Sequence, residues 1–164
     1  MSIYTFLVIS HIIGTILGVG GATFAEIHHT RALKDGQIDP KEGKTLKVTY
    51  SVIRWGLIIA TLSGFGFLLL FRLTGEEERL LDPKLWAKMS IIVVLITNAL
   101  LLQMHKIPMW LGASISLTSW YGALILGSWR SYPYSYVDTI IGYVIAIVLV
   151  AIALHFIKRI YFKK

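Results

Sequence analysis

The chain has 164 residues, of which 55% are hydrophobic and only 15% charged, against about 25% charged in an ordinary soluble domain. It contains no cysteine, which excludes disulfides, iron–sulfur clusters and thiolate metal sites. The formal net charge of +7 would suit nucleic acid in a soluble protein. Here the basic residues sit at the ends of apolar runs, where they set orientation and meet anionic headgroups, so no nucleic-acid partner is expected.

Five apolar runs, at 3–27, 48–71, 85–104, 110–129 and 137–157, each come near or exceed the roughly 20 residues needed to cross the hydrocarbon core. They predict an all-α, polytopic membrane helix bundle forming a single domain over 1–164, with the lipid bilayer as its surroundings. The first run lacks a basic leader and a small-residue cleavage site, so it is expected to be a span and not a signal peptide.

Along that first run, His11, Thr15, Gly18, Ala22, Glu26 and His29 fall within a helical sector about 80° wide. An ionisable residue at membrane depth is costly and normally faces the protein interior with a partner. Gly14 and Gly18 form a G-x-x-x-G pair. Close helix packing is the ordinary use of such a pair; clearing space for a cofactor is the alternative. Gly36 is expected just past the end of a first helix that continues beyond the membrane. Asp39-Pro40-Lys41-Glu42 reads as an N-cap, proline at N1 and glutamate at N3, which starts the second helix well before its span. Asp82-Pro83 starts the third in the same way. Lys106-Ile107-Pro108 is short enough to make helices three and four antiparallel neighbours. Tyr132-Pro133-Tyr134 separates helices four and five.

Basic residues divide unequally between the two sides. Arg31, Lys34, Lys41, Lys44, Lys47, Arg54, Lys106, Lys158, Arg159, Lys163 and Lys164 lie on one, and Arg72, Arg79, Lys84, Lys88 and Arg130 on the other. The positive-inside rule predicts the N-terminus outside and the C-terminus inside. A bacterial or archaeal cytoplasmic membrane is the expected location. Trp86, Trp110 and Trp129 stand at span ends as interfacial anchors.

Two constellations can carry chemistry. The outer one pairs His11 with Lys88, at comparable depth. A neutral imidazole is an axial ligand for haem iron, Thr15 and Gly18 on its face leave room for a flat macrocycle, and Lys88 can meet a propionate. The ordinary alternative has His11 bonding a neighbouring helix and Lys88 reaching the interface. The inner constellation is Glu26, His28, His29, His105 and His155, four histidines from three helices at one level, a donor set that suits a transition metal. His28 and His29 point about 100° apart and cannot both face one centre. Arg54 is the expected ordinary partner of Glu26. Helix four adds Ser114, Ser116, Thr118, Ser119, Trp120 and Tyr121, and helix three adds Asn98, which shares a face with His105. These form a polar interior lining suited to a quinone, a small solute or water.

The run Phe6-Leu7-Val8-Ile9-Ser10-His11-Ile12-Ile13-Gly14 resembles the first helix of the HemJ-type protoporphyrinogen oxidases and the related CopD-like membrane proteins. Thr61-Leu62-Ser63-Gly64 is similar to a Thr-Pro-Gly-like stretch of that family. Leu85-Trp86-Ala87-Lys88 looks like its Leu-His-x-Lys motif. The likeness covers the first three helices. It implies a haem-b-binding membrane oxidoreductase or electron-transfer protein, with His11 as axial ligand, Lys88 in the catalytic position of the family's lysine, and a quinone or porphyrin-like ligand. Trp86 stands where that family has its second histidine, and an indole cannot replace an axial imidazole. The first helix, with His11-x2-Gly14-x3-Gly18-x-Gly20-Gly21-Ala22, also resembles small bacterial membrane proteins, a likeness that suggests no activity. Two other classes remain open: a metal-ion or solute transporter using Glu26, Asn98 and the inner histidines, and a non-catalytic membrane subunit. A homodimer through the glycine-rich face is a further expectation.

Overall fold

The computed structural model describes residues 2–32 and 38–162. Its order is α1 (Ile3–Ala32), α2 (Pro40–Leu73), a short 3-10 turn (Glu77–Leu81), α3 (Pro83–Gln103), α4 (Met109–Ser128) and α5 (Tyr136–Phe162), with no strand among the described residues. All five α-helices are long and apolar enough to cross a membrane. At 1.5 Å per residue, the 30 residues of α1 and the 34 of α2 outrun a core of about 30 Å. The surplus lies where α1 ends and α2 begins. The expected helix end at Gly36 lies outside the described residues.

Helix starts follow local chemistry. α2 begins at Pro40, and the Asp39 N–H donates to Glu42 Oε2 at 3.0 Å, the reciprocal half of a capping box. α3 begins at Pro83 with Asp82 Oδ1 accepting from the Lys84 N–H at 2.8 Å. α3 stops at Gln103 because His105 takes a left-handed conformation, φ 55°. Lys106 N–H then bonds back to Leu101 O at 2.9 Å and His105 N–H to Leu102 O at 3.1 Å, closing the helix as a C′ residue does.

The small-residue stripe of α1 is buried. Gly14, Gly18, Gly21, Ala22, Ala25, Glu26 and His29 are all inside, while His11 and Thr15 are half-buried. α1 and α2 form the closest helix pair in the chain. A Cβ on Gly14 would stand 2.5 Å from Ala60 N, and one on Gly56 2.7 Å from Gly18 N. Backbones approach this closely only across glycine. Gly18 faces the other way, where a Cβ would meet the Trp120 ring at 2.1 Å. Gly14, Gly18 and Gly21 are therefore used for packing within the chain, while Gly20 has open space beside it.

Packing gathers in two cores. Ala22, Ala60, Leu95 and Trp120 join α1 through α4. Ala87, Ile91, Leu126 and Tyr143 join α3, α4 and α5, with Tyr143 and Ser119 hydroxyls 2.8 Å apart. α1 meets the second group of helices mainly through α4, while α2 and α3 make almost no direct contact. Across that seam the two helices share one core cluster, through Ala60 and Leu95.

Candidate functional site

His11 is held by α2. Its Nδ1 lies 3.1 Å from the Ala60 carbonyl and 3.0 Å from Ser63 Oγ, and the Phe67 ring stands edge-on at 5.9 Å. Ser63 also donates to Ile59 O at 2.7 Å. With Nδ1–H donated to the Ala60 carbonyl, Nε2 keeps its lone pair, the tautomer seen in metal-bound imidazoles. The donor atom thus fits a haem iron. The seat expected beside it does not. Thr15 Oγ1 donates to its own helix, to His11 O at 2.8 Å, and the space over Gly18 is filled by the Trp120 indole.

Trp86 is exposed, and its Nε1–H donates to Leu80 O at 2.9 Å. It ties the Glu77–Leu81 turn to α3 and lies at the surface, away from the His11 contacts. His11→Ala is expected to cost about 1–2 kcal/mol, since it removes a helix-to-helix hydrogen bond. Ser63→Ala should cost less, because Ser63 also bonds its own helix. Thermal unfolding of the two variants in one detergent checks the ranking.

The inner constellation is arranged differently from the sequence expectation. Glu26 Oε1 pairs with Lys158 Nζ of α5 at 2.8 Å, with both side chains largely buried; Arg54 is not its partner. Thr30 donates to the same carboxylate oxygen at 3.2 Å. His29 is buried beside this pair, and its Nδ1 has no partner. His28 stacks on Phe24. His105 occupies the α3–α4 turn and is exposed, as is His155. Asn98 and His105 do not share a face, because the helix ends between them. Among the described residues, no three His, Asp or Glu side chains come together to hold a metal ion. Equal depth did not produce convergence, since the histidines point along different radial directions.

A chamber of about 180 Å³ lies between α1, α2, α3 and α4. It sits where α1 and α3 end and α2 and α4 begin, beside the α2–α3 seam. Its wall is mostly aliphatic: Ile53, Leu57, Leu95, Ala99, Leu102 and Ala113. Glu26, Tyr50, Arg54, Asn98, Gln103, Ser116 and Trp120 supply the polar part of that wall. Asn98 and Trp120 are each 3% exposed. Asn98 Nδ2 donates to Gly112 O at 3.0 Å, but Asn98 Oδ1 and Trp120 Nε1 have no partner. A buried polar atom left unpaired costs about 1–3 kcal/mol and calls for a water or a ligand. The polar lining foreseen on α4 is only partly real. Ser114, Thr118 and Ser119 turn their hydroxyls to their own backbone, at 2.8, 2.8 and 2.6 Å, as serine and threonine do inside apolar helices.

Comparison with protein-family models, with curated proteins and with solved structures returned no match. The class stands on the fold: an all-α chain with five helices able to span a membrane and a small chamber among four of them.

Proposed function

We propose that this is an integral membrane protein, N-terminus outside, that carries a small organic solute in the chamber between α1, α2, α3 and α4. The observation that supports it is the pair of unpartnered polar atoms, Asn98 Oδ1 and Trp120 Nε1, on two nearly inaccessible residues of one cavity wall. An engineered apolar cavity of about 150 Å³ stays dry and takes up benzene, so this chamber has room for one ring. Among the described residues no three ligands for a metal ion gather at one point, so the reading proposed here is for an organic solute.

Ligand-observed fluorine NMR with para-fluorobenzyl alcohol, para-fluorobenzoate and para-fluorobenzylamine tests this. At least one probe should bind the purified protein. Trp120→Phe removes the indole donor and should weaken binding by about fivefold, the worth of one hydrogen bond. Ala113→Phe fills the chamber and should abolish binding, which separates the site from uptake into micelles. Binding that survives both substitutions would sink the proposal.

A second reading, haem b bound through His11 in an electron-transfer protein, is supported by the anchoring of His11 Nδ1 at the Ala60 carbonyl. Haem would supply one-electron chemistry there, and His11 would hold it through Nε2. Protein expressed with added haem would then show a Soret band that His11→Ala removes. A colourless preparation rejects it.

A further inference from the structure

The chamber wall carries two formal charges, Glu26 and Arg54. They are not equivalent. Glu26 is compensated at 2.8 Å by Lys158, which comes from outside the four helices that build the wall. Arg54 has no carboxylate within 4.0 Å among the described residues, whose ion pairs are Arg72–Glu77, Arg79–Glu76 and Lys158–Glu26. Arg54 is exposed and stands at the edge of the chamber, so the charge there without a carboxylate partner is positive.

Hydrogen-bonding capacity leans the same way. Trp120 Nε1–H is unpaired. The Tyr50 hydroxyl donates only to Met109 Sδ, at 3.7 Å, and a thioether is a weak acceptor that a better one displaces. The guanidinium adds a planar fork of donors matched to a carboxylate. Against these stand two acceptors, Asn98 Oδ1, which has no partner, and the side-chain amide oxygen of Gln103. A donor-rich, singly positive wall with aliphatic sides calls for an acceptor-rich anion on an apolar body. A free inorganic anion gains nothing from Leu57, Leu95 and Leu102, and a cation meets the wrong sign.

We infer that the solute is a single-ring organic acid, with its carboxylate toward Arg54 and its ring against the aliphatic wall. The inference rests on the chamber being the binding site, and one experiment separates the two. At neutral pH the three fluorinated probes share a ring and differ in charge. Wild-type protein should bind para-fluorobenzoate about tenfold more tightly than the alcohol, and the amine least. Arg54→Gln should bring the benzoate down to the affinity of the alcohol. Arg54→Lys, which keeps charge but loses the fork, should fall between, and it serves if the glutamine variant does not fold. If the alcohol binds as tightly as the benzoate, or the amine binds best, the acid assignment is overturned while the chamber stands. If no probe binds, both are overturned.

Discussion

Gly14→Ala should destabilise the protein by about 2–3 kcal/mol, and Gly14→Leu should prevent the α1–α2 pair from forming. The reason is contact with atoms that cannot move aside. A single added carbon at Gly14 would approach Ala60 N at 2.5 Å, Gly56 O at 2.9 Å and Ala60 Cα at 3.0 Å, all backbone. Overpacking against a flexible side chain costs about 1–3 kcal/mol. Here the relief must come from pushing two helices apart, which also loosens the Ala22, Ala60, Leu95 and Trp120 core. Gly20 is the control. It lies on the same helix with nothing within 4 Å of an added Cβ. Gly20→Ala should be neutral or stabilise by up to about 1 kcal/mol, since alanine loses less backbone entropy. Thermal unfolding in one detergent compares the two. Equal effects at both positions would disprove the close-packing account.

The second large effect concerns Glu26 and Lys158. Lys158→Met removes the cation and leaves a largely buried carboxylate without its partner, at a cost of about 3–5 kcal/mol. Glu26→Gln should be milder, because lysine can extend toward the interface. The double variant, Glu26→Gln with Lys158→Met, should recover most of the loss, since an uncharged pair of similar size is often tolerated in place of a buried ion pair. A double-mutant cycle read from unfolding therefore predicts strong coupling between the two positions. Arg54→Met should show little coupling to Glu26. Additive behaviour of Glu26 and Lys158, or strong coupling of Glu26 to Arg54, would restore the partner expected from sequence.

That partner shows what the sequence could and could not convey. The five spans were legible because long apolar runs have few alternatives, and Asp39-Pro40 and Asp82-Pro83 marked two starts through cap chemistry alone. The stripe from His11 to His29 was legible because 100° per residue fixes which residues share a face. Everything that depended on the facing helix was not. Depth placed Arg54 level with Glu26, but a level is a ring, and α5 brings Lys158 to the other side of it. His105 was assigned to the face of Asn98 by extending helical periodicity past Gln103, where a left-handed residue ends the helix. The room assigned to a macrocycle over Gly18 is occupied by Trp120, a residue a hundred positions away that no local pattern connects to it. The chamber itself has no signature in the chain, because a vacancy is a property of how four helices meet.

The Glu26–Lys158 pair also has a bearing on how the protein is made. Glu26 belongs to the first helix and Lys158 to the last turns of the fifth. During synthesis, α1 is complete long before α5 leaves the ribosome. Throughout that interval Glu26 lacks the counter-ion that it has in the folded chain. Arrival of the last helix ends the interval by bringing Lys158 to Glu26. The ion pair therefore marks completion, and a chain halted before α5 keeps an unanswered charge by which incomplete product can be told from finished.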